Sequence, residues 1–344
     1  MHNHIIIKRR EDKMEIALQI LLLVVGFVIL IKGADWLIDG ASSTASHFKV
    51  SKMLIGLTIV AFGTSAPELA VSISSMLNGT SDVLLGNVVG SNITNILLLL
   101  GIGAAMCPIK VGKATLSKEL PLLVLITTIL TVLFFDTIGG GDVNAISRTD
   151  GIICMLCLVV FMIYIVMTAR KDRKAAKEVE KPKFKLWLSI VLIIVGLAGV
   201  VGGAELVVDS ATKIATTFGV PERIIAVTIV ACGTSLPELI TTIKAARRKE
   251  TELMVGNIIG SNIFNICMVL GLPAAIFGSV VPDQSDMVGL GVDMAMVLLS
   301  AVLLLVFSWT GKKITRGEGW AMLGVFAAYY VFLVTTTVIK LNAG

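Results

Sequence analysis

Charge, histidine and aromatic rings are scarce in this chain, and each shortage excludes something. Only 15% of the 344 residues are charged and 6% aromatic, against 56% hydrophobic, with a mean hydropathy of +0.92. A water-soluble domain carries about a quarter charged residues, so this chain belongs in a membrane. The three histidines, His2, His4 and His47, all fall outside the apolar runs. No Ser-His pair is therefore available inside them, which removes nucleophilic hydrolysis of that kind. The five cysteines, at 107, 154, 157, 232 and 267, lie mostly within apolar runs and read as small packing residues, with no disulfide framework. Cys154 and Cys157 form a lone CxxC without a second pair or a nearby histidine, and packing is again the reading. The net charge of +5 has no interleaved aromatic groove beside it, so it does not point to nucleic acid. No cofactor and no obligate protein partner is implied.

What is present is long apolar segments. A membrane crossing takes about 20 apolar residues, and ten such runs can be placed, near 15–38, 52–77, 83–106, 117–136, 149–169, 186–209, 222–246, 254–277, 287–308 and 319–340. The expected fold is all-α and polytopic. Residues 1–14 form a polar extension carrying Lys8, Arg9 and Arg10. It resembles a signal peptide but lacks a small-x-small cleavage site, and translation from Met14 would remove it. Counting Lys and Arg on alternate sides of the ten runs puts most of the 29 basic residues on one side, including the cluster between Arg170 and Lys185. By the positive-inside rule that side is cytoplasmic, and both termini are external.

The chain also repeats itself. Gly63-Thr64-Ser65-Ala66-Pro67-Glu68-Leu69 returns 170 residues later as Gly233-Thr234-Ser235-Leu236-Pro237-Glu238-Leu239. The same offset relates Gly33 to Gly203, Asp39 to Asp209, and Gly90-Ser91-Asn92-Ile93 with Asn95 to Gly260-Ser261-Asn262-Ile263 with Asn265. This divides the chain into a first half (15–169), a basic linker (170–185) and a second half (186–344). Five runs per half is an odd number, so the halves are inverted in the membrane. Lys244, Arg247, Arg248 and Lys249 stand where the first half has Ser74, Leu77, Asn78 and Gly79, as expected if that loop is cytoplasmic in one copy only.

Inside this frame Glu68 and Glu238 are out of place. A carboxylate at the centre of a spanning helix costs about 3 kcal/mol even on the lenient insertion scale, so each needs protein, water or a cation around it. Thr64 and Ser65 precede Glu68 by four and three residues and share its helical face. Pro67 has no N–H to give the Gly63 carbonyl, and a helix broken at membrane depth is tolerated where it lines a cavity. Ser91 and Asn95 are again four apart. One copy of Gly, Ser and Asn could be small-residue packing; two copies, each paired with a Glu segment, point to an ion site. Asp35 with Asp39, and Glu205 with Asp209, read as acid pairs at the aqueous rim, with Lys32 a candidate partner for the first and an ion-access vestibule as the alternative.

At these residues the sequence resembles the cation/calcium exchanger superfamily, specifically its prokaryotic sodium/calcium exchangers, whose two repeats carry GTSxPE and GNxxGSNIxxI signatures. The resemblance covers nearly the whole chain. It implies ten helices in two inverted five-helix halves, a plasma-membrane antiporter rather than an enzyme, and alternating access by sliding of the first and sixth helices. The implied ligands are Thr64, Ser65, Glu68, Ser91 and Asn95 from the first half and Thr234, Ser235, Glu238, Ser261 and Asn265 from the second, with backbone carbonyls at Ala61 and Ala231. The transported ions would be Ca2+ and Na+, or H+ in a proton/calcium relative. An intramembrane enzyme and a cation channel are more remote alternatives.

Members of this type often have Asp where this chain has Asn265. With Asn there, only Glu68 and Glu238 bring full negative charge, enough to balance one Ca2+ or two Na+, whereas a third Na+ would leave net charge in a poorly solvated cavity. The hydroxyl, amide and carbonyl mixture suits calcium better than magnesium, which prefers retained water.

Overall fold

The computed structural model describes residues 2–135, 143–175, 181–218, 233–283 and 287–343, with side chains except at 2–14, 174–175, 287 and 337–343. We number its helices in chain order: α1 (His2–Phe48), α2 (Lys52–Thr64 continued by Ala66–Leu77), α3 (Ser81–Met106), α4 (Thr115–Phe134), α5 (Arg148–Ala175), α6 (Leu186–Thr217), α7 (Leu236–Arg247), α8 (Thr251–Phe277), α9 (Met287–Trp309) and α10 (Arg316–Ala343). Among the described residues eight helices are long and apolar enough to cross a membrane, or nine if bent α2 is one span. The first part of the expected seventh run, including Ala231, lies outside the described residues.

α8 sits at the centre and is buried continuously from Leu253 to Leu270. The N-terminal piece of α2 lies against it without intervening side chains. A Cβ added at Gly56 would fall 2.6 Å from the Leu253 carbonyl oxygen, and one added at Gly260 would fall 2.6 Å from that of Leu57. α5, α9 and α10 form an outer layer whose outward faces are apolar, with Val159, Val160, Ile163, Val302, Val306 and Val331 exposed as expected for contact with lipid. Two carboxylate-tyrosine hydrogen bonds tie this layer together: Tyr164 of α5 donates to Glu119 of α4, and Tyr329 of α10 donates to Asp293 of α9 over 2.7 Å.

α1 and α6 cross antiparallel along one side of the bundle, joined by small residues. Gly33 meets Gly196 and Val200, Gly26 meets Gly203, and Gly40 meets Ser189. The contact is its own image under the 170-residue offset, since Gly26 and Gly33 are the equivalents of Gly196 and Gly203. Backbone-to-backbone packing of this kind is how helices associate where no hydrophobic effect drives them together.

α1 is longer than its apolar core suggested. It takes in residues 2–14 without a break and runs past Asp35 and Asp39 until Lys49, whose φ of 56° closes the helix in the left-handed region usually given to Gly. Both acids on this stretch are paired. Lys244 Nζ reaches Asp35 at 3.0 Å, the Arg248 guanidinium reaches Asp35 at 2.6 Å and Asp39 at 2.9 Å, and Lys183 Nζ reaches Asp39 at 3.1 Å. The partners are thus the basic residues of α7 and the linker, some 144 to 213 residues away, and not Lys32 as the sequence suggested.

These ion pairs belong to one basic end of the molecule. There Lys52 bonds Glu250 at 3.0 Å, Lys110 and Lys313 pair in a two-stranded ribbon (Ile109–Lys110 with Lys313–Ile314), and Arg316 donates to the Met106 carbonyl. The linker docks at the same end, where the Phe184 carbonyl meets His47 at 2.7 Å.

Candidate functional site

The site is built on two serines with nearly the same backbone conformation, each leading into a helix. Ser65 ends the first piece of α2 at φ −83°, ψ 6°, and Ser235 precedes α7 at φ −87°, ψ 3°. Pro67 and Pro237 follow in the first turn of the next helical piece, where a missing N–H costs nothing. α2 bends by 43° at this point, so the signature residues lie at the break itself. The carbonyl of Ala61 accepts the Ser65 N–H over 3.0 Å and the Thr64 hydroxyl over 3.4 Å.

Both turns deliver a carboxylate into the interior. Glu68 is 1% exposed and Glu238 is fully buried, and the two lie close enough for their charges to interact. The hydroxyls of Thr64, Ser65 and Ser261 gather around the Glu238 carboxylate, with Ser261 Oγ donating to Oε1 at 3.4 Å. Thr64 Oγ1 lies 3.4 Å from Ser261 Oγ and donates to Asn257 Oδ1 over 3.3 Å, so residues from α2, α7 and α8 meet at one point.

Below them runs a ladder of amides from α3 and α8. Asn95 Nδ2 donates to Asn262 Oδ1 at 3.1 Å, and Asn265 Nδ2 donates to Asn92 Oδ1 at 3.2 Å. Asn92 and Asn262 each donate to the other's backbone carbonyl at 3.5 Å. The four bonds map onto one another under the 170-residue offset, so a pseudo-twofold axis passes between these asparagines. Asn95 and Asn265 stand at the starts of π-helical stretches, Thr94–Leu100 and Asn265–Leu270, wider turns that recur at functional positions.

The ladder spends the amide N–H groups on protein and turns the oxygens loose. Ser65 Oγ, Glu68 Oε2, Asn95 Oδ1, Glu238 Oε2 and Asn265 Oδ1 are all buried and accept no hydrogen bond among the described residues. Buried oxygens without donors cost about 1–3 kcal/mol each, more when charged. Five of them fall at the predicted positions, two on carboxylates, and all are oxygens of the kind hard cations favour. Among the described residues no three of His, Cys, Asp or Glu converge. Ser91 and Ser235 are buried in the adjoining turns and Thr234 is half-buried.

Known proteins agree with the repeat and the fold. The model of the sodium/calcium exchanger protein family matches residues 18–167 and again 188–335. This chain belongs to that family. It is 36% identical to the inner membrane protein YrbG of Escherichia coli over 326 residues, covering 91% of this chain and 95% of the relative. It is 29% identical to the sodium/calcium exchanger MaX1 of Methanosarcina acetivorans, covering 92% and 99%. Among solved structures it resembles the sodium-calcium exchanger NCX_Mj soaked with Na+ and Sr2+, with a TM-score of 0.79 at 33% identity over 92% of this chain and 98% of that one. The family is one of membrane transporters, and the fold is that of a polytopic exchanger.

Sequence reading placed Asn87, Asn92 and Asn262 inside the repeated motif without giving them a role, and did not single out Asn257, Ser72 or Thr242. The signal was available, since each is polar in both copies at the 170-residue offset.

Proposed function

We propose that this protein is a secondary antiporter of the plasma membrane that exchanges Ca2+ for Na+, one load at a time, at a site made by both halves of the chain. The observation that carries this is the set of donor-free buried oxygens, with one carboxylate from each repeat. Glu68 and Glu238 supply the charge; Thr64, Ser65, Ser91, Asn95, Thr234, Ser235, Ser261 and Asn265, with the carbonyls of Ala61 and Ala231, supply neutral oxygens. The two halves would make ten crossings, inverted relative to each other, with both termini external and the basic end cytoplasmic. Gathering of Lys52, Lys110, Lys183, Lys244, Arg248 and Arg316 at one end supports that orientation.

Two carboxylates balance one calcium against two monovalent ions, so the cycle moves no net charge. Proteoliposomes loaded with Na+ and diluted into Na+-free calcium test both points. Calcium uptake should follow the sodium gradient and not a pH gradient, and a potential imposed with potassium and valinomycin should leave it unchanged. Each net charge moved would couple at about 2.3 kcal/mol per 100 mV. A shift matching one charge per cycle rules out the stoichiometry, while uptake driven by pH alone makes the proton the counter-ion.

A further inference from the structure

The two repeats match in sequence but not in every hydrogen bond, and one pair of equivalent asparagines, Asn87 and Asn257, differs in both its partners. In the first half, Asn87 Nδ2 donates to the Glu68 carbonyl at 3.0 Å and to Ser72 Oγ at 3.2 Å, bracing the helical turn that carries the Glu68 carboxylate. In the second half, the equivalent bonds would run from Asn257 Nδ2 to the Glu238 carbonyl and to Thr242 Oγ1. They are not made. Asn257 Nδ2 and Thr242 Oγ1 are both buried without a hydrogen-bond partner among the described residues. Asn257 instead turns its oxygen to the Thr64 hydroxyl across the repeat boundary. Two buried polar groups are left unsatisfied, and the one rearrangement that satisfies both is already on display in the other half of the molecule.

The surroundings differ in the same sense. Asn257 is 1% exposed and Gly256 beside it is buried, whereas Asn87 is half-buried and Gly86 is exposed. Asn257 lies toward the basic end, where α1 is fastened to α7 through Asp35 and Asp39. Asn87 lies toward the opposite end, where α3 begins. The end at which the asparagine reaches across to a signature threonine is the covered one.

We infer that Asn87 and Asn257 are positioning residues that exchange hydrogen-bond partners as access passes from one end of the molecule to the other. With the basic end covered, Asn257 holds Thr64 and Asn87 braces Glu68 and Ser72. With the basic end open, Asn257 braces Glu238 and Thr242. Neither asparagine needs to touch the ion. The inference refines the antiporter reading above, because it names what distinguishes the two access states of that site.

The test uses the two acceptor hydroxyls, which are equivalent in sequence and opposite in role. Ser72→Ala deletes an acceptor used now, and Thr242→Val deletes one used only after the exchange. In a background with the five cysteines replaced, Gly86→Cys reports opening at the Asn87 end through its rate of reaction with a membrane-impermeant maleimide. Thr242→Val should speed that labelling and Ser72→Ala should slow it, each by about three- to tenfold, the range of one net hydrogen bond. Ser72→Thr and Thr242→Ser, which keep the hydroxyl, should leave the rate as in the parent. Shifts in the same direction, or none, overturn the inference, since packing at equivalent positions has no reason to act with opposite sign. Labelling does not depend on transport. If sodium drives no calcium uptake but the two variants move labelling oppositely, the antiporter reading fails and the exchange of partners stands.

Discussion

At the scale of single residues the account turns on where hydrogen-bond donors go. Asn92, Asn95, Asn262 and Asn265 point their N–H groups at one another and at each other's backbone, while Asn95 Oδ1, Asn265 Oδ1 and one oxygen of each carboxylate, Glu68 Oε2 and Glu238 Oε2, have no donor among the described residues. Asn262→Ala removes the acceptor of Asn95 and a donor to the Asn92 carbonyl, and leaves both buried. A loss of about 2–4 kcal/mol should follow, read as a lowered unfolding midpoint of the purified protein in detergent; an unchanged midpoint would mean the ladder is incidental. The carboxylates were legible from sequence because an uncompensated Glu inside an apolar run has no bland explanation. The ladder was not, because an asparagine's partner across a repeat interface leaves no trace in local spacing.

At the scale of elements, two long helices carry the asymmetry of design. α1 and α6 are held to each other through glycine contacts and otherwise present apolar faces outward, such as Leu21, Val24 and Val28 on α1 and Ile190, Val191 and Ile194 on α6. A pair joined by backbone contact can move over the bundle without unpacking a large side-chain interface. A Cβ at Gly196 would fall 2.5 Å from the Leu37 nitrogen, so Gly196→Val should separate the helices and cost about 1–3 kcal/mol. Gly324 on α10 has nothing within 4 Å of its added Cβ, and Gly324→Ala should be neutral or slightly stabilising in a helix. Thermal unfolding of the two variants side by side checks this; equal midpoints would contradict the packing described. The repeat predicted that α1 and α6 are equivalent, but not that α1 extends through Asp35 and Asp39 to Lys49. The partners of those acids, Lys244, Arg248 and Lys183, lie far away in sequence, and a reading of neighbouring residues could not find them.

At the scale of the whole molecule, pseudo-symmetry and its breaking do different work. The shared part, the like turns at Ser65 and Ser235 and the amide ladder, buries one carboxylate from each half. The part that differs is electrostatic. The C-terminal end of α7 carries Lys244, Arg247, Arg248 and Lys249, of which Lys244 and Arg248 clasp the acids of α1, whereas the equivalent end of α2 has Ser74, Leu77, Asn78 and Gly79 and offers Glu205 and Asp209 no such charges. Partly buried pairs of this geometry contribute more than the fraction of a kcal/mol usual for exposed ones, and all of them favour closure at the basic end. A chain with symmetric site residues thus has an unsymmetric balance between its two access states.

The central claim is that a calcium ion is held jointly by Glu68 and Glu238, one from each repeat. Equilibrium binding of radioactive calcium to the purified protein tests it most directly, with Glu68→Gln and Glu238→Gln as isosteric controls. Leaving one carboxylate without its counterpart forfeits about 3–5 kcal/mol. The parent should bind one calcium per chain, displaced by sodium, and each variant alone should lose at least about a hundredfold in affinity. If either variant binds calcium as the parent does, the shared site is wrong.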